Sequence, residues 1–233
     1  MGRYTREETI MELARTSGKP EEMYQQKVAN WKGKSKDARS IWTSEIVCEY
    51  LLHGSGFVTA LGHVEAINRK NSYDAQHLGR PLAPRERLTE RRVARSLMSH
   101  SLGPLGVVFD YEVPLRDSRK NRKVGNIDLV SDDGVNVWLI EFKFDHKGDT
   151  LLRCALEIAT YYQQLDRMKF LRQLRRDHSR SARKAVLLAG ACRAGVEAEE
   201  LTARPHLSQL LRKLQVDVFQ ADRELADVRP VFP

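Results

Sequence analysis

The chain has 233 residues, 41% of them hydrophobic and 30% charged, and its 39 Lys and Arg against 31 Asp and Glu give a net charge of +8. This balance excludes a wholly disordered or fibrous chain, and no apolar run approaches the ~18 residues that cross a bilayer. The first residues, Met1 to Arg6, hold no apolar segment of the signal-peptide kind, so the cytoplasm is the expected location. The positive excess favours a polyanionic partner, with nucleic acid first in line. Cys48, Cys154 and Cys192 stand far apart, which argues against a disulfide framework and against a structural zinc. No His-Glu-x-x-His spacing and no Gly-rich Walker loop is present, so zinc hydrolases and nucleotide hydrolases lose support.

In chain order, Thr43 and Ser44 precede Ile46, Val47, Tyr50 and Leu51 at helical spacing, which predicts a helix from Glu45 to Leu52 with Trp31 and Trp42 packed nearby. Gly54-Ser55-Gly56 reads as its stop. Residues 68–84 are polar and hold Gly79, Pro81 and Pro84, the signature of a connection. Residues 1–80 are therefore expected to form a small helical extension and residues 81–233 the main domain. Pro84 suits a helix start, and Leu88, Val93, Ala94 and Leu97 give an inward stripe up to Ser99. Three strands follow: Val107 to Leu115, Asn126 to Val130, and Val135 to Lys143, the last two separated by Asp132-Asp133-Gly134. A helix with Leu151, Ala155, Ile158, Tyr162 and Leu165 on one face comes next, then a short buried strand, Ala185 to Ala189. A helix over Leu207 to Leu214 and a strand over Val216 to Phe219 complete the domain. This order predicts an α/β fold with a mixed sheet flanked by helices, meandering at first and then gaining parallel strands by crossovers.

Within the third strand Val135, Val137, Leu139, Glu141 and Lys143 share one face, and Trp138, Ile140 and Phe142 fill the other. A strand apolar on both sides is central and covered, and charges at its end are costly without partners. Asp128 is the expected partner. If Asp133-Gly134 is a two-residue turn, Asp132 pairs with Val135, Asp128 falls opposite Leu139, and it lies diagonal to Glu141 at roughly 7–8 Å. A one-residue slip would send Asp128 to the other face. Two carboxylates at that range can hold one hard divalent cation, Mg²⁺ or Mn²⁺, which polarises a phosphodiester and activates water. Lys143 beside them can orient the water or neutralise charge on the phosphate. Glu90, on the stripe with Val93, Ala94 and Leu97, is the expected third carboxylate, with Glu86 one turn earlier in reserve.

The Asp128 and Glu141-Phe142-Lys143 pattern resembles the PD-(D/E)xK nuclease superfamily, whose core runs helix, three strands, helix, strand. In that family a strand Asp precedes Glu-x-Lys on the next strand, and a helix glutamate, here Glu90, often joins them. The resemblance covers roughly residues 84–220. It implies a restriction-endonuclease-like core, a Mg (or Mn) cofactor held by Asp128, Glu141 and Glu90, a catalytic Lys143, and cleavage of nucleic acid, with DNA the expected substrate and endo- against exonuclease action left open. Ile127 stands where the family's proline would be, and no Gln-x-x-x-Tyr of the RecB-like branch follows the site, which leaves the subfamily open. Cutting both strands would favour a two-fold homodimer. Other readings are a nucleic-acid-binding module of the same fold that does not cut, and a salt-bridged pair on a solvated strand end. A two-carboxylate glycosidase would leave Lys143 unexplained.

Between the first two strands, Arg119, Lys120, Arg122 and Lys123 crowd a hairpin tip and are expected to contact phosphates; the alternative is a solvated turn that blunts a sheet edge. Arg167, Lys169, Arg172, Arg175, Arg176, Arg180 and Arg183 form a second basic run, read either as a solvated face or as phosphate contacts. His146 reads as a loop residue, and Tyr161, Tyr162 and Gln163 divide between packing and lining the cleft.

Overall fold

A computed structural model describes residues 4–16, 18–73, 89–116, 124–145, 148–174 and 180–232. The helices are α1 (Arg6–Thr16), α2 (Thr43–Glu49), α3 (Phe57–Gly62), α4 (Glu90–Ser96), α5 (Leu151–Gln164), α6 (Arg167–Gln173), α7 (Arg193–Glu199) and α8 (Pro205–Leu214). The strands are β1 (Val107–Pro114), β2 (Asn126–Asp132), β3 (Asn136–Phe144), β4 (Ser181–Ala189), β5 (Val216–Ala221) and β6 (Val228–Phe232). They form one six-stranded sheet in chain order. β1, β2 and β3 meander antiparallel, β4 and β5 add in parallel, and β6 closes the edge antiparallel to β5. The mixed sheet flanked by helices is thus the α/β architecture expected from the sequence. No described helix is long and apolar enough to cross a membrane.

β3 owes its place to its composition. Trp138, Ile140 and Phe142 pack with Val93 of α4, with Leu97 just after it and with Phe219 in one layer. Val137 and Leu139 pack on the other side with Leu151, Ala155 and Ile158 of α5. With both faces apolar, the strand can be satisfied only in the middle of a sheet covered by helices.

The β2–β3 turn corrects the expected register. Asp132 pairs with Val137, not Val135, so the loop has four residues. The Asp133 carboxylate explains the longer turn. It accepts from the backbone N–H groups of Val135 and Asn136 at 2.7 and 2.6 Å and from Trp138 Nε1 at 2.7 Å. Although burial pulls it upward, these donors hold the Asp133 carboxyl down at about 2. The shift is of two residues, so every side chain keeps its face.

The N-terminal helices share the apolar core. Leu13, Met23, Val28, Val47 and Leu51 belong to the same buried cluster as α5 and α8. Glu45 of α2, almost fully buried, accepts from the backbone N–H groups of His206 and Leu207, both at 2.9 Å, and so caps α8. Thr150 caps α5 by accepting from Arg153 N–H at 3.2 Å, while its own N–H donates to Asn30 Oδ1 and its hydroxyl to the Ala29 carbonyl, each at 2.9 Å.

Candidate active site

The cluster forms where β2 and β3 part. Their paired ladder ends at Leu129 and Ile140, and continuing its register sets Asp128 opposite Glu141. The Asp128 Oδ2 accepts from the Phe142 backbone N–H at 2.9 Å in place of a ladder bond. Asp128 is therefore directly across from Glu141, a closer pairing than the diagonal one expected.

Lys143 projects from the same face of β3 as Glu141, and its ammonium is the centre of the group. It lies 2.7 Å from Glu141 Oε1, 3.1 Å from Glu90 Oε1 and 3.9 Å from Asp128 Oδ2. Glu90 is the first residue of α4, whose start is capped by the Thr89 side chain accepting from Arg92 N–H. Its helix packs on the opposite face of the sheet, so the side chain reaches round the end of β3, where its Oε2 also accepts from Phe144 N–H at 3.3 Å. All four side chains expected to meet do so. Glu86 and the hairpin residues Arg119, Lys120, Arg122 and Lys123 lie outside the described residues, as does His146.

The sequence reading did not single out Glu157 of α5. Its charge bears on both Asp128 and Glu141, and its Oε1 accepts from the Tyr161 hydroxyl at 2.7 Å. Tyr24 meets Tyr161 edge-on, with ring centroids 5.5 Å apart, so the N-terminal segment borders the site. A Cβ on Gly125 would run into the Tyr161 hydroxyl, and glycine is what lets that ring approach the start of β2. The available signal was compositional: Glu157 is the only acid in α5 and has buried Leu156 and Ile158 on either side.

Burial dominates the electrostatics. It pushes the Asp128 carboxyl up to about 7 against the pull of Lys143 and the Phe142 N–H. Burial, then the charges of Asp128 and Glu157, drive Glu141 well above the ordinary carboxylate range. Burial alone would lower Lys143, but Glu141 and Asp128 hold it firmly protonated. With Glu90, Asp128 and Glu141 all ionised, one ammonium leaves two negative charges uncompensated. Hard oxygen donors with that excess suit a hard divalent cation, so the donor chemistry fits Mg²⁺ or Mn²⁺. Among the described residues, however, no three His, Cys, Asp or Glu groups are arranged as a ready cation cage. The ammonium of Lys143 draws the carboxylates toward itself.

A stability prediction follows from Asp128. Its carboxyl is near 7 when folded against 3.8 as a free side chain, so its contribution is fully present below about pH 4 and lost as pH rises through about 7. Without divalent metal, thermal stability should fall over that window by on the order of 1–2 kcal/mol, moderated because the side chain is 27% exposed. Asp128→Asn should flatten the decline in melts recorded from about pH 4 to 8. An unchanged slope would show that Asp128 does not carry the strain.

The chain matches no protein-family model, and neither the curated proteins nor the solved structures include a significant match to it.

Proposed function

We propose that the protein is a metal-dependent nuclease that hydrolyses phosphodiester bonds, with DNA the expected substrate and a restriction-endonuclease-like core. One observation carries this reading: Asp128, Glu141, Lys143 and Glu90, drawn from three elements, gather at the end of a central strand, where burying Glu141 and Lys143 is costly. Structure alone gains little from such a cluster, since well-packed apolar groups would be as stable or more so.

Asp128 and Glu141, with Glu90, would hold Mg²⁺ or Mn²⁺. When bound, the ion would polarise the scissile phosphate and lower the pKa of a coordinated water. Asp128 is fixed for this by the Phe142 N–H, which orients one carboxylate oxygen and leaves the other free of that bond. Lys143 supplies a fixed positive charge beside the reacting phosphate and a donor that can align the attacking water. Glu157 adds negative charge behind the site, and with Tyr161 it steadies the wall toward the N-terminal segment. Cutting both strands of a duplex would require two copies.

The ion-pair geometry favours a second reading, a nucleic-acid-binding module that does not cut, because Lys143 already occupies the centre of the carboxylates. Incubation with plasmid, linear duplex and single-stranded DNA or RNA separates the two. The nuclease reading expects cleavage with Mg²⁺ or Mn²⁺ that EDTA abolishes. Binding that persists in EDTA, with no cleavage under either metal, would overturn it in favour of the silent module.

A further inference from the structure

A second polar feature lies at the other end of the sheet. A cavity of about 640 Å³ opens between the starts of β4 and β5, Tyr162 near the end of α5, and Arg212 and Gln215 at the end of α8. Lys184 lies in its wall and is only 6% exposed. Among the described residues its ammonium has neither a hydrogen-bonded acceptor nor an ion pair; it lies over the Tyr162 ring, 4.2 Å from the centroid. The Arg167 guanidinium lies 4.4 Å from the same ring. Among the described residues Asp217 is the one acid lining the cavity, and Arg183 already holds it at 2.8 Å.

A buried ammonium with no direct ion pair is costly, and a hydrophobic side chain of similar length would fill the place without that cost. Here the isolated charge faces an open cavity with arginines nearby, which is the arrangement that complements an anion. We infer that this cavity is a binding site for a phosphate monoester, with Lys184 as its anchoring charge. A terminal phosphate is preferred to a backbone phosphodiester because Lys184 is recessed: a small dianion can reach it, whereas a duplex backbone would be stopped at the rim. Tyr162, flanked by Arg167 and Lys184, presents a face to these cations and so adds no stacking platform of its own. The site is separate from the carboxylate cluster, and the inference does not rest on the nuclease reading.

Linkage gives the proposal a signature. Burial, then Arg167, holds the empty-state Lys184 ammonium down at about 8, with Asp217 pulling the other way. Arg183, Arg167, Arg212 and Asp217 are the charged groups around it among the described residues, and Lys184 is the cation held down at about 8. An anion bound beside it would raise that value, so binding takes up protons near pH 8 and weakens as pH rises further.

Calorimetry with sulfate as the probe tests this, since sulfate carries no proton over about pH 6 to 10. Wild type should bind sulfate at low ionic strength, with proton uptake near pH 8 shown by buffers of different ionisation enthalpy. Lys184→Met, which removes a buried charge and should fold at least as well, should weaken binding by about tenfold or more and abolish the uptake. Lys184→Arg should restore affinity without the uptake. A nucleoside 5′-monophosphate should displace sulfate, whereas an oligonucleotide lacking terminal phosphates should not. Equal binding by wild type and Lys184→Met, or no binding by wild type at millimolar sulfate, overturns the site. Displacement by the unphosphorylated oligonucleotide overturns the monoester assignment in favour of a backbone contact.

Discussion

Glu141→Gln should lower metal-dependent cleavage by on the order of 10²-fold or more and at the same time leave the protein as stable as wild type, or more so. The two effects share one cause. Glu141 is buried beside Asp128 and under the charge of Glu157, so its ionised form is held at a cost that folding does not need. Gln keeps the shape and can still accept from the Lys143 ammonium, now 2.7 Å from Glu141 Oε1, but it no longer offers a charged ligand. Asp128→Asn should behave alike, with affinity for nucleic acid kept because contacts elsewhere hold the phosphates. Lys143→Ala differs. It leaves three carboxylates facing one another without a cation, so at neutral pH it should lose both activity and stability. Single-turnover cleavage beside a thermal melt on the same preparations distinguishes these outcomes. Wild-type rates in Glu141→Gln would exclude its role as a ligand, and a parallel fall in stability would recast the cluster as structural.

The residues differ in how much of this they disclose beforehand. The β1–β3 meander, α5 and β4 were legible because their apolar periodicity is long and bounded by Gly or Asp-rich turns. Asp128, Glu141 and Lys143 could be assigned to one face because strand parity survives a two-residue error in register; the error came from Asp133, whose carboxylate binds four donors and widens the turn. Glu90 was legible from its helix stripe, although that stripe did not reveal that the helix lies across the sheet. Elements without a periodic signal were missed. β6 carries Pro230, which demotes a strand except at a sheet edge, where it in fact lies. α7 is seven residues long, contains Gly195, and buries Glu197, whose carboxylate accepts from Leu151 N–H at the start of α5. In the second basic run, whose Arg175 and Arg176 lie outside the described residues, several side chains are already engaged: Arg180 pairs with Asp132, Arg183 with Asp217, and Lys169 donates to the Arg69 carbonyl. Such tertiary pairings have no local sequence signature.

Removal of residues 4–62 should abolish cooperative folding of the remainder. The segment carries Met23, Tyr24, Val28, Val47 and Leu51, all nearly fully buried in the cluster that includes α5 and α8. At about 1.5–3 kcal/mol for each large apolar side chain, the loss would be as large as the net stability of about 5–15 kcal/mol typical of a domain. It would also strip the partners of Thr150 at the start of α5 and of the α8 N-terminus, so the helix bearing Glu157 and Tyr161 would lose its anchor. Glu45→Ala samples the same dependence with one side chain. It leaves the N–H groups of His206 and Leu207 without their acceptor and should cost on the order of 2 kcal/mol. Urea unfolding followed by far-ultraviolet circular dichroism measures both. A shortened chain that unfolds cooperatively with an undiminished midpoint would mean that the sheet and its helices fold as an independent domain, with the N-terminal helices an appendage. Non-cooperative loss of signal, together with a lowered midpoint in Glu45→Ala, would mean that the N-terminal helices are part of the scaffold that positions the carboxylates.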